Sequence, residues 1–292
     1  MEDELRPEYD LSQLLKDGVR GKYMVENRAA YGVAEQYKTS TNLEARISLH
    51  ERFSTNPYGL NRWVFDHFDL PDQARILELG CGVGRLWLEN LDRIPADWDV
   101  TLSDFSEGML QQTQRNLAQS GRRFSFQVIE VTDIPLEAEQ FDAVIANHML
   151  YYVEDKWRAL AQIHRVLRPG GRLYTTTNGR RHMHELVEVI TQFDAAIPFL
   201  SRTIESYTLE TGAQHVAQWF SDVEVHRFPD SLVVTDEDAL LDYILSSSAV
   251  FNLPIKRKEE LTKFVRERFA AAGGVFTITK EPGIICGKRK TY

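Results

Sequence analysis

The chain has 292 residues, with 43 acidic against 34 basic side chains and a formal net charge of −9. That length suits one large domain or one and a half, with ample apolar residues for a core. The acidic balance argues against a nucleic-acid partner gripped through its phosphates, and only two cysteines, Cys81 and Cys286, exclude a disulfide framework or a cysteine metal cluster.

The start, Met1-Glu2-Asp3-Glu4-Leu5-Arg6-Pro7, is acidic and lacks the cationic and apolar segments of a signal peptide. No run of about eighteen apolar residues occurs, so no membrane partner and a soluble, cytoplasmic protein are expected. Residues 10–56 carry charge, several tyrosines and apolar residues at roughly helical spacing, and read as helices that precede a sheet. Asn56-Pro57-Tyr58-Gly59 makes a turn before a helical stretch over 60–68. Strands are expected near 74–79, 98–103, 124–129, 141–146 and 171–177, with helices near 85–93, 106–119 and 155–167. Such alternation demands a parallel sheet. Ser106 followed by Glu107 caps the helix after Asp104, and Leu167-Arg168-Pro169-Gly170-Gly171 reads as the stop of the third helix.

Beyond Thr177 the pattern loosens. Helical spacing runs over His184–Phe193, Thr211–Phe220, Asp236–Leu245 and Glu259–Ala271, and Val223–Phe228 reads as a strand. Val275–Thr279 and Gly283–Cys286 read as a closing hairpin around Glu281-Pro282. The chain is thus read as a cap segment over 1–70 and a main domain over 71–292.

The most informative stretch is Ile76-Leu77-Glu78-Leu79-Gly80-Cys81-Gly82-Val83-Gly84-Arg85. An apolar run stops at three glycines spaced by two, and Leu86, Trp87 and Leu91 resume at helical spacing, which reads as strand, tight turn, helix. Glycine there lets backbone approach a ligand. A second apolar run ends at Ser103-Asp104, about twenty residues on, where a nucleoside-binding α/β unit places an acid for ribose hydroxyls. A dinucleotide fingerprint would need a further glycine where Arg85 stands, so a diphosphate ligand is disfavoured.

Glu78-x-Gly80-x-Gly82-x-Gly84, Asp104 at the second strand's end, Phe141-Asp142-Ala143-Val144-Ile145-Ala146-Asn147-His148-Met149-Leu150 and Leu167–Leu173 together resemble the class I S-adenosylmethionine (SAM)-dependent methyltransferases, nearest their small-molecule group. The resemblance covers about 70–178. It implies an α/β fold: a Rossmann-like, seven-stranded, mostly parallel sheet flanked by helices, with an N-terminal helical cap and a cap insertion in the C-terminal half over about 195–215. It also implies S-adenosyl-L-methionine as cofactor, methyl transfer by direct displacement and a small-molecule acceptor.

Under that resemblance Glu78 faces the methionine ammonium, and Gly80, Cys81, Gly82 and Gly84 form the cofactor turn, the Cys81 side chain packing inward. Asp104 accepts the ribose hydroxyls, and Phe105 and Met109 pack beside the adenine. Glu130 accepts from the adenine amino group, with Asp133 as substitute, and Val131 offers its N–H. Asn147, assigned to the cofactor site, and His148 follow the fourth strand and face the transferred methyl. His148 reads either as a general base or as a residue that packs and shapes the pocket. The chain lacks Asn/Asp-Pro-Pro-Tyr there, which disfavours adenine-N6 and glutamine methylation. Tyr23, Tyr31, Tyr37 and Tyr152 line a substrate pocket or pack in the core. His182 and His184 point to opposite sides of a helix, so no metal is expected. A SAM-binding protein with a non-methylating reaction or a regulatory role stays open, as does a homodimer.

Overall fold

The computed structural model describes residues 48–200, 206–251 and 253–290. Tyr23, Tyr31 and Tyr37, with most of the expected N-terminal cap, lie outside the described residues. In chain order the elements are α1 (Leu60–Asp66), β1 (Arg75–Leu79), α2 (Arg85–Leu88), β2 (Asp99–Asp104), α3 (Glu107–Leu117), β3 (Phe124–Val128) and β4 (Phe141–Asn147). A 3-10 turn at Leu150–Tyr152 leads to α4 (Lys156–Val166), β5 (Leu167–Asn178), α5 (His184–Phe193), α6 (Leu209–Trp219), β6 (Phe220–Arg227) and β7 (Asp230–Val234). The chain continues with α7 (Glu237–Leu245), α8 (Ser248–Phe251), α9 (Ile255–Ala271), β8 (Phe276–Lys280) and β9 (Pro282–Arg289).

Seven strands form one sheet in the order β3-β2-β1-β4-β5-β9-β6. The pairs β1–β2, β1–β4, β2–β3 and β4–β5 are parallel, and β9 runs antiparallel to both its neighbours. The seven-stranded, mostly parallel sheet expected from the sequence is therefore the observed one. Its central strands are buried on both faces, which is why they read as continuous apolar runs. Ile76 packs on one face with Trp87, Val100, Leu102 and Ile145. Leu77 and Leu79 pack on the other, with Val144, Ala146 and the α4 stripe Ala159, Leu160, Ile163 and Val166. α4 is capped by Asp155, whose side chain accepts from Arg158 N.

Two local expectations are corrected. The third helix ends before its proline: Leu167 is already extended (φ −69, ψ 144), as suits a residue close ahead of Pro169 in the chain. Gly170, with φ 78, sits inside β5, where the register jumps from Phe141↔Leu167 to Ala143↔Arg172. The segment is an excursion of the strand, not a helix stop. Likewise β8 and β9 do not pair with each other: β8 joins β7 in a separate two-stranded sheet, while β9 inserts between β5 and β6.

The chain divides into two compact units. One carries the whole seven-stranded sheet, over described residues 56–183, 206–231 and 279–290. The other, over described residues 48–55, 184–200 and 232–278, is largely helical. Within it Arg257 pairs with Asp194 at 2.5 Å and lies over the Phe193 ring, and Arg266 bridges to Glu237 and Asp238 at 2.9 and 3.0 Å. Among the described residues no helix is long and apolar enough to cross a membrane.

Candidate active site

β1 has β2 on one side and β4 on the other. Chain order therefore reverses at its carboxyl end, which opens the crevice where α/β sheets take ligands. The glycine turn sits there. Gly82 has φ 55, and a Cβ built on it meets nothing within 4 Å, so this backbone fronts open space. Gly84, with φ 78, differs: its Cβ would stand 2.8 Å from Thr113 Cγ2, so it lets α3 pack closely against the turn. The carbonyls of the turn are held from α3, by Thr113 Oγ1 donating to Gly82 O at 2.6 Å and Asn116 Nδ2 donating to Val83 O at 2.9 Å. Gly80 (φ 70) faces Met149, and Cys81 is buried as expected, its thiol pushed above the ordinary range by burial.

Asp104 ends β2 and is 6% exposed. Its Oδ2 accepts from Gly82 N at 3.0 Å and its Oδ1 from Ser106 N at 2.9 Å. The Phe105 N–H bonds this carboxylate as well, and with about four lone-pair sites in all it keeps acceptor capacity for a ribose hydroxyl. Burial raises its pKa, while those backbone N–H groups pull the other way. Glu78, one strand over, is 2% exposed. Its Oε2 accepts from the Trp87 indole Nε1 at 2.6 Å, and Asn147 supplies a further side-chain hydrogen bond. Burial pushes its pKa up to about 7.

At the end of β4, Thr176 Oγ1 donates to Asn147 Oδ1 at 3.2 Å and accepts from His148 N at 3.0 Å. His148 has φ 48, a left-handed conformation uncommon for a non-glycine residue and typical of functional sites. Burial and then the Lys280 charge hold its pKa at about 4. Its ring lies edge-on to Tyr151 at 6.3 Å, and Tyr151 packs at a tilt against Tyr152 with ring centres 4.4 Å apart.

Glu78, Gly80, Cys81, Gly82, Gly84, Asp104, Asn147 and His148 thus gather at the carboxyl ends of β1, β2 and β4. Phe105, next to Asp104, is 65% exposed, an unusual state for phenylalanine and one a stacked ring would relieve. Met109 is half-buried in the first turn of α3. Val131 is buried, whereas Glu130 is exposed and turns its Oε2 onto the N–H and hydroxyl of Thr132. Asp133 is exposed too. Among the described residues no group of three or more potential ligands could hold a metal.

Sequence reasoning passed over Trp87, Thr113, Asn116 and Thr176. The signal for two of them was present: Thr113 and Asn116 lie three apart among the inward-facing Leu110 and Leu117 of α3. Polar residues on a buried stripe must have partners.

Residues 76–171 match the family model described as "Methyltransferase domain". That third of the chain is similar to the methyltransferase domain of class I SAM-dependent methyltransferases. Among curated relatives it is 31% identical to the ubiquinone/menaquinone biosynthesis C-methyltransferase UbiE of Desulfotalea psychrophila, over 46% of this chain and 54% of that one. The chain spans about half the length, or less, of the first curated relatives it matches. In fold it is similar to phosphoethanolamine N-methyltransferase 2 of Haemonchus contortus, solved with S-adenosylhomocysteine (TM-score 0.55, 17% identity, 89% of this chain, 59% of that one). It is also similar to the [4+2]-cyclase SpnF (TM-score 0.51, 16% identity, 80% of each chain). The cofactor of this methyltransferase family is S-adenosylmethionine, and the residues fit it. Gly82 fronts open space, its N–H donates to the buried Asp104, and the buried Glu78 lies at the end of the adjacent strand.

Proposed function

We propose that this protein transfers the methyl group of SAM to a small-molecule acceptor. The observation that carries the reading is the open face of Gly82, whose N–H donates to the buried Asp104. In this reading Asp104 takes the ribose hydroxyls, Glu78 the methionine ammonium, Phe105 and Met109 the adenine, and Glu130 or Asp133 its amino group. SAM supplies a sulfonium methyl. A lone pair of the acceptor forms the new bond to the methyl carbon as the carbon–sulfur bond breaks, its electrons staying on sulfur, and any proton of the acceptor leaves to solvent or a nearby base.

The chain's own residues contribute alignment and exclusion of water, which in favourable intramolecular reactions is worth about 7–11 kcal/mol. His148 is neutral at neutral pH, and a pKa of about 4 makes it a weak base for a hydroxyl proton. Its role here is to shape the pocket with Tyr151 and Tyr152. The net charge of −9 favours a small molecule over nucleic acid as acceptor, and we place the protein in the cytoplasm.

A non-methylating reaction is the second reading, favoured by one observation: a [4+2]-cyclase shares the fold. Incubation with methyl-labelled SAM and quinols, phenols, amines and acyl-carrier thioesters separates the two. Labelled product is expected. Tight SAM binding with no transfer to any acceptor class, and turnover of an unlabelled substrate, would favour the second reading.

A further inference from the structure

We propose that Trp87 is a positioning residue for the cofactor: its indole N–H fixes the Glu78 carboxyl at the angle that receives the methionine ammonium. The inference rests on the SAM site proposed above. Trp87 is fully buried, yet it carries one polar atom, and that atom stands 2.6 Å from Glu78 Oε2. The two residues lie on the same face of the sheet, and nine positions of chain separate them, enough to form the whole glycine turn. Ser103 Oγ holds the Glu78 carbonyl at 2.7 Å, so the acid's backbone is tied to β2 while its side chain is tied to α2. Phe124 packs edge-on against the indole at 5.8 Å and leaves it little freedom to turn away.

A bond from a neutral donor to a buried carboxylate is strong in such surroundings. It also favours the ionised acid, as the Asn147 side chain does, while burial and the nearby Asp104 charge oppose ionisation. With the indole N–H removed, less holds the charge at Glu78, and the acid rises further above about 7 in the free protein. Ammonium binding then has to ionise an acid that is more fully protonated at neutral pH, so the affinity penalty deepens as pH falls.

The test is calorimetric titration of wild type and W87F with two ligands at pH 6.5 and pH 8. S-adenosylhomocysteine has the amino-acid arm, and 5′-methylthioadenosine has the same nucleoside without it. W87F keeps ring volume and removes the N–H. The expected result is about a tenfold loss for S-adenosylhomocysteine, larger at pH 6.5 than at pH 8, with less than about a twofold change for methylthioadenosine. Equal losses for both ligands, or none for either, would mean that Trp87 only fills the core and would overturn the inference while leaving the SAM site standing. Failure of wild type to bind either ligand would overturn the site and the inference together.

A second measurement does not depend on W87F folding. In ligand-free wild type the Trp87 indole proton should shift with a midpoint near 7 as Glu78 titrates, and in E78Q the shift should vanish. An indole signal indifferent to pH from 5.5 to 8.5 would contradict the proposal.

Discussion

Gly82→Ala separates backbone strain from ligand obstruction. Gly82 has φ 55 and Gly121, in the loop from α3 to β3, has φ 68, and a Cβ on either meets nothing within 4 Å. A side chain in the left-handed region costs about 1–2 kcal/mol, so G82A and G121A should lose similar stability in urea unfolding. Their consequences for ligand differ. α3 returns the chain to the amino ends of the strands, so Gly121 lies at the opposite edge of the sheet from the glycine turn. At Gly82 the methyl enters the space assigned to the cofactor. Overpacking of one methyl into a fitted contact costs about 1–3 kcal/mol, which is about a 5- to 150-fold rise in Kd. Titration with S-adenosylhomocysteine is therefore expected to give near wild-type affinity for G121A and that loss for G82A. Equal affinity in both variants would refute the placement of cofactor over Gly82.

The buried acid at Glu78 should cost the ligand-free protein stability. Its folded pKa, about 7 against an ordinary 4.5, means that the folded state prefers the neutral form. The stability it contributes is full below 4.5 and lost as pH rises through 7, amounting to about 3 kcal/mol by linkage. E78Q should thus be more resistant to urea than wild type at pH 8, little different at pH 5, and weakened for S-adenosylhomocysteine; an E78Q less stable than wild type at pH 8 would contradict this. Lys280 is paired with Asp230, whose side chain is fully buried, and its charge helps to depress His148. K280M should raise the His148 pKa from about 4 while leaving it below 6.5, because burial is the larger cause, and should destabilise the fold, because the buried Asp230 loses its cation while keeping the N–H bonds of Asn56 and Ser231. Histidine resonances followed by NMR and urea unfolding measure the two effects; an unmoved or lowered His148 would refute the assigned cause.

The central strands were legible because they are buried on both faces and each ends in a distinctive break: Gly80 after β1, Ser103-Asp104 closing β2, Asn147 closing β4 with His148 after it. What resisted reading is tertiary. Glu281-Pro282 is turn chemistry whether or not the flanking strands pair, and only the sheet decides that β9 joins β5 and β6 while β8 joins β7. Pro169 and the glycines after it carry stop chemistry too, yet they serve an excursion within β5. α9 starts at Ile255, four residues before the expected Glu259, because its first turn holds Lys256, Arg257 and Lys258 and shows no side-chain cap to announce it. In the site, the acids and glycines were visible through their spacing. Trp87 was not, since an indole on a helix's apolar stripe looks like core packing until the carboxyl beside it is seen.

The most direct test is a crystal structure with S-adenosylhomocysteine bound. The account predicts both ribose hydroxyls within hydrogen-bonding distance of the Asp104 carboxylate, the amino group at Glu78, and the nucleoside passing over Gly82. Ribose hydroxyls with no acid beside them, or ligand bound away from the glycine turn, would contradict it.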